Sequence, residues 1–92
     1  MTRLEIIELR TVLKNNALEA YLAQWLAEAA AGEKKHKIRI YRHAELENDY
    51  SIHFQYDPRT ADNELAVLAQ RLASVLKEFG LVNHTIWIER QS

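Results

Sequence analysis

Apolar residues recur along this chain with two different periods, and the period changes at short polar breaks. Arg3 to Leu13 alternates β-branched or apolar residues with charged ones, as a strand does. Asn15-Asn16 breaks that period. Asn16 can cap a following helix, with Glu19 completing a capping box. Ala17 to Ala31 is rich in alanine and leucine, and Leu18, Tyr21, Leu22, Trp25, Leu26 and Ala29 fall on one helical stripe. Gly32 is placed to end this helix as a left-handed cap.

After a charged connector, Glu33 to Lys37, period two returns in Ile38 to Leu46 and Tyr50 to Tyr56. Glu47-Asn48-Asp49 between them predicts a hairpin with a three-residue turn. Pro58 suits the first position of a second helix, expected from about Thr60 to Phe79. Its stripe is Leu65, Leu68, Leu72, Leu76 and Phe79. Gly80 would stop it, with Leu81 supplying the apolar contact of a Schellman cap. Val82 to Glu89 is the last strand. The order strand–helix–strand–strand–helix–strand predicts an α+β fold, a ferredoxin-like βαββαβ sandwich. Right-handed crossovers would place both helices on one face of a four-stranded antiparallel sheet.

The other face of that sheet is the candidate working surface. Alternation turns Ile7, Leu9, Ile52, Phe54, Ile86 and Ile88 toward the helices. It turns Leu4, Ile6, Glu8, Arg10, Arg39, Tyr41, His43, His53, Gln55, Thr85 and Trp87 the other way. Aromatic and aliphatic residues mixed with charges have the make-up of an interface or a binding site. Leu4, Ile6, Arg10 and Trp87 are the candidate interface residues, and Trp87, Tyr41, Arg39 and Gln55 the candidate ligand contacts. A three-residue turn would oppose His43 with His53, and Tyr41 with Gln55. His53, His43 and His84 are the candidate bases. Two opposed histidines do not complete a zinc site, so no metal is expected.

Composition narrows the classes. A chain of 92 residues argues for a single domain spanning 1–92. Such a chain buries only roughly 60–65% of its unfolded surface, so pairing with a second copy is a natural source of extra burial. No cysteine is present, which excludes disulfides, thiolate metal sites and cysteine nucleophiles. The two glycines both lie at expected helix ends, so no glycine loop cradles a nucleotide, and no cofactor is expected. No apolar run reaches the roughly 18 residues of a membrane span, and Met1 to Val12 lacks a signal peptide's apolar stretch. A cytoplasmic protein is expected, without membrane contact. Lys34, Lys35, Lys37, Arg39 and Arg42 hold five of the twelve Lys and Arg residues. They could grip RNA beside Tyr41, and the order of elements is that of an RNA-recognition module. The two central strands, however, would present Glu8, Arg10, His53 and Gln55 rather than aromatics. A solvated connector is the better reading, and a nucleic-acid partner is not expected.

Leu4-Glu5-Ile6-Ile7-Glu8-Leu9, Tyr50-Ser51-Ile52-His53-Phe54 and Thr85-Ile86-Trp87-Ile88, in this order and at this length, resemble the dimeric α+β barrel proteins. These include the antibiotic-biosynthesis monooxygenases and their small relatives. The resemblance is one of pattern over nearly the whole chain. It implies a homodimer with two sheets packed face to face. In the enzymatic members it implies oxidation of aromatic substrates without a dedicated cofactor, or haem binding. Their asparagine, tryptophan and histidine are matched in type by Asn16, Trp87 and His84, at positions no shared motif fixes. The expected function is therefore a small homodimeric protein that binds a small organic ligand. The alternatives are a cofactor-independent monooxygenase-like enzyme and an RNA-binding module on the open face.

Overall fold

In the computed structural model, residues 2–11, 16–30, 37–59 and 63–90 are described. The elements run β1 (Arg3–Arg10), α1 (Asn16–Ala29), β2 (Ile38–Arg42), β3 (Asp49–Tyr56), α2 (Asn63–Leu76) and β4 (Leu81–Ile88). The strands form one sheet in the order β2-β3-β1-β4, with every neighbouring pair antiparallel. This is the ferredoxin-like α+β fold. β1 and β3 are central and must satisfy both edges, which suits their unbroken runs of strand-forming residues. No described helix is long and apolar enough to cross a membrane.

The core lies between the two helices and one sheet face. Ile7 and Leu9 of β1, Ile38 of β2, and Ile52, Phe54 and Tyr56 of β3 are buried against Leu18 and Leu22 of α1 and Leu65, Leu72 and Leu76 of α2. Ala69 and Ala73 let α2 approach the sheet closely. Trp25 meets Phe54 edge-on at 5.8 Å, and Tyr21 stacks near Phe79 at 6.1 Å. Burying each large apolar side chain contributes about 1.5–3 kcal/mol. The helical stripes seen in the sequence are the faces that meet the sheet. Glu19, in the first turn of α1, accepts a hydrogen bond from the Tyr50 hydroxyl and ties that helix to β3.

Several local expectations are corrected. β2 ends at Arg42 and not at Leu46 as expected, so Ala44 and Leu46 are exposed loop residues. The turn is longer than three residues because the His43 ring closes it. His43 Nδ1 accepts hydrogen bonds from the amides of Glu45 and Leu46, both at 3.0 Å. Those amides are thereby lost to the ladder. The register shifts with the turn: Arg39 opposes His53 and Tyr41 opposes Ser51, so His43 and His53 are not a pair. Pro58 sits in a turn ahead of α2, and Thr60 to Asp62 lie outside the described residues, as do Leu13, Gly32 and the connector up to His36.

α2 ends at Leu76, ahead of Gly80, and Gly80 serves the entry into β4 rather than a left-handed helix cap. A β-carbon there would lie 2.2 Å from the Arg10 carbonyl oxygen, because the chain entering β4 runs against the backbone of β1. Leu81 makes no cap contact of the expected kind; it is 76% exposed. Ile86 and Ile88 point to the helix side, as their register beside Glu5 and Arg3 requires, yet remain 56% and 59% exposed. The helices cover the centre of the sheet and the Val82 end of β4, and leave its Ile86–Ile88 end open.

Candidate functional site

Antiparallel register places directly opposed residues on one face. The face without helices is thus built of cross-strand rows. At one end Trp87, Leu4 and Gln55 lie side by side across β4, β1 and β3. The next row is Thr85, Ile6, His53 and Arg39. The third is Asn83, Glu8, Ser51 and Tyr41, and the last holds Leu81, Arg10 and Asp49. Every residue expected on the open face from β1 and β3 is there. Trp87 is 59% exposed, and its indole Nε1 donates to Thr85 Oγ1 at 3.0 Å. Arg10 is held by Asp49 through Nε and Nη2, each 3.2 Å from Oδ2.

The middle rows bring several functional groups together. Ser51 Oγ and His53 Nε2 are hydrogen-bonded at 2.6 Å, and the Tyr41 ring lies 4.7 Å from the imidazole. Burial pushes the His53 pKa below its usual 6.5, while the Glu8 carboxylate works against that shift. His53 is thus biased to its neutral form, which can accept a proton. Ser51 was not picked out by sequence reasoning, although its parity with His53 on β3 was visible.

A cavity of about 340 Å³ opens at the hairpin end of this face, within the usual range for small-molecule sites. Glu8, Arg10, Tyr41, His43, Ser51 and Leu81 line it, with Arg42, Asp49, Tyr50 and Asn83. Of the four expected ligand contacts, Tyr41 is on its wall. Arg39, Gln55 and Trp87 lie farther along the sheet. His43 is on the wall and also holds its own loop.

His84 sits elsewhere, on the helix side of β4. Its Nε2 is 2.8 Å from Oε2 of Glu5, a carboxylate only 2% exposed. Glu5 Oε1 accepts the Tyr56 hydroxyl. Burial, and then this bond, raise the Tyr56 pKa; a hydrogen bond from Arg3 opposes the rise. The buried Glu5 escaped sequence reading, yet its position two residues before Ile7 carried the signal. Among the described residues no three His, Asp or Glu side chains are grouped to hold a metal ion.

No family model matches the sequence, and no curated protein matches it. Solved structures do match in shape. One is SnoaB, a cofactor-independent oxygenase from Streptomyces nogalater, at 14% identity and a TM-score of 0.68, covering 99% of this chain and 95% of that one. Another is Rv0793 from Mycobacterium tuberculosis, at 16% identity and a TM-score of 0.68, covering 100% of this chain and 98% of that one. The chain therefore shares its ferredoxin-like α+β fold with these two proteins over its whole length.

Proposed function

We propose that two copies of this chain pack their open sheet faces together and that the cavity at the hairpin end takes a small organic ligand. The observation that carries this reading is the face itself. Trp87, Leu4 and Ile6 give it an apolar end, and Arg10, Arg39 and Glu8 give it polar partners. The Trp87 ring, 59% exposed in a regular strand, is available to a partner, and aromatic anchors are typical of interfaces. The likeness in fold to a cofactor-independent oxygenase and to Rv0793 supports the same architecture. Molar mass in solution tests it. Light scattering should give twice the 10.7 kDa chain mass. A monomer at high micromolar concentration would overturn the pairing and leave the cavity to be examined alone.

A second reading, a cofactor-independent enzyme acting on an aromatic substrate, is favoured by the contact between Ser51 and His53. A neutral imidazole bonded to a hydroxyl on the cavity wall, beside the Tyr41 ring, has the parts of a general base near an aromatic site. Turnover of hydroxylated aromatic compounds under oxygen, lost in His53→Ala, is its test.

A further inference from the structure

We infer that Ser51 and His53 form a nucleophile–base dyad at the hairpin-end cavity, able to cleave small neutral aryl esters through an acyl-serine intermediate. This rests on the reading above that the cavity admits a small organic molecule, and goes beyond it by assigning a covalent step that needs no oxygen. The starting point is the bond itself. Ser51 Oγ and His53 Nε2 are 2.6 Å apart, and both residues are half-buried. Residues at i and i+2 of a strand share a face, so β3 holds the two groups together without help from a loop. Ser51 lines the cavity of about 340 Å³. His53 stands in the next row along the sheet, its ring 4.7 Å from that of Tyr41. The nucleophile thus faces the ligand space and the base stands behind it, the order of parts in serine hydrolysis.

The chemistry balances with these groups and water alone. In the tautomer with its proton on Nδ1, His53 accepts from Ser51 Oγ at Nε2. Oγ attacks the ester carbonyl carbon while Nε2 takes the hydroxyl proton. The tetrahedral adduct collapses, the acyl C–O bond breaks, and the phenol leaves with that proton. Water then attacks the acyl-serine with His53 again as base, which releases the acid and restores the hydroxyl. Burial keeps the imidazole in the neutral form that this cycle needs, and the Glu8 carboxylate acts on the same ring with the opposite sign, so it offsets the imidazolium as it forms. Arg10, on the same cavity wall, holds Asp49 through Nε and Nη2 and leaves Nη1 as a donor for the oxyanion. Glu8 also sets the charge of the substrate. It lies directly across from Ser51, so an ester bearing a carboxylate would be repelled and a neutral one preferred. Tyr41 and Leu81 give the aryl ring an apolar wall.

p-Nitrophenyl acetate is the probe for turnover, and p-nitroacetophenone, a ketone with no ester bond to cleave, is the probe for binding. The wild-type protein should release p-nitrophenol about a hundredfold faster than Ser51→Ala or His53→Gln. Mass spectrometry of the quenched wild-type reaction should find the acetyl group on Ser51, a result that does not depend on how well the variants fold. Circular dichroism should show both variants folded, since both positions are only half-buried. The anionic ester p-nitrophenyl hydrogen succinate should be cleaved more slowly than the acetate, and Glu8→Gln should narrow that gap. Ketone binding that shifts the amide resonances of Tyr41 and Ser51, combined with a Ser51→Ala rate equal to wild type or with acetyl groups on lysines alone, would overturn the dyad and leave the cavity reading standing. Neither binding nor turnover would overturn both.

Discussion

Ser51 Oγ lies 2.6 Å from His53 Nε2, with Glu8 directly across from the serine and Arg39 directly across from the histidine. The pair therefore sits between one negative and one positive strand neighbour, on the face the helices leave open. Burial outweighs the carboxylate and lowers the histidine's pKa.

That shift has a definite sign for stability. Below pH 6.5 the unfolded chain protonates this histidine, while the folded chain resists until a lower pH. The unfolded state then binds more protons, so stability rises with pH in that window and is lost as pH falls through it. Urea unfolding on either side of pH 6.5 should show this slope in wild type and a shallower one in His53→Gln. Equal slopes would mean that other groups dominate.

Tyr50 acts at the alkaline end. Burial first, then the bond to Glu19, push its pKa from 10.0 up to about 12. The unfolded chain ionises this phenol first, so the contribution is complete below pH 10 and disappears as pH rises toward 12. Tyr50→Phe should flatten that alkaline loss. At neutral pH it should cost about 1 kcal/mol for the lost bond to the first turn of α1. Unfolding curves at neutral and alkaline pH would separate the two effects.

The alternation of β1 and β3 made the open face legible, because a central strand flanked by helices on one side obeys period two strictly. The β2–β3 hairpin was legible too, but its register was not. Its register depends on a ring nitrogen of His43 capturing two loop amides, and residue types alone do not reveal that capture. β4 was half legible: register turns Ile86 and Ile88 to the helix side, but the lateral reach of α2 decides whether they are covered. Glu5 shows a third kind of miss. Its parity matched Ile7 and Leu9, yet a carboxylate in that position reads as outward until His84 and Tyr56, distant in sequence, are seen to meet it.

Gly80 is sensitive to any side chain. A β-carbon 2.2 Å from the Arg10 carbonyl oxygen meets backbone of the central strand, which cannot give way as a flexible side chain would. Gly80→Ala should destabilise by about 1–3 kcal/mol, as overpacking does. Thermal unfolding would measure it, and an unchanged midpoint would show that the approach of β4 to β1 relaxes freely.

Trp87 offers the sharpest test of the shared face. It lies in one row with Leu4 and Gln55, at the apolar end of the surface, and its indole N–H is already satisfied by Thr85. Its ring is thus free to bury apolar area against a partner without stranding a donor. Trp87→Glu puts a charge where that ring would be enclosed. Loss of a buried aromatic anchor costs about 2 kcal/mol or more, so the dissociation constant should rise roughly thirtyfold. The monomer itself should be little affected, since the residue is 59% exposed within it. Light scattering over a dilution series, with unfolding curves alongside, would read both quantities. A dimer that persists unchanged would move the contact off this face.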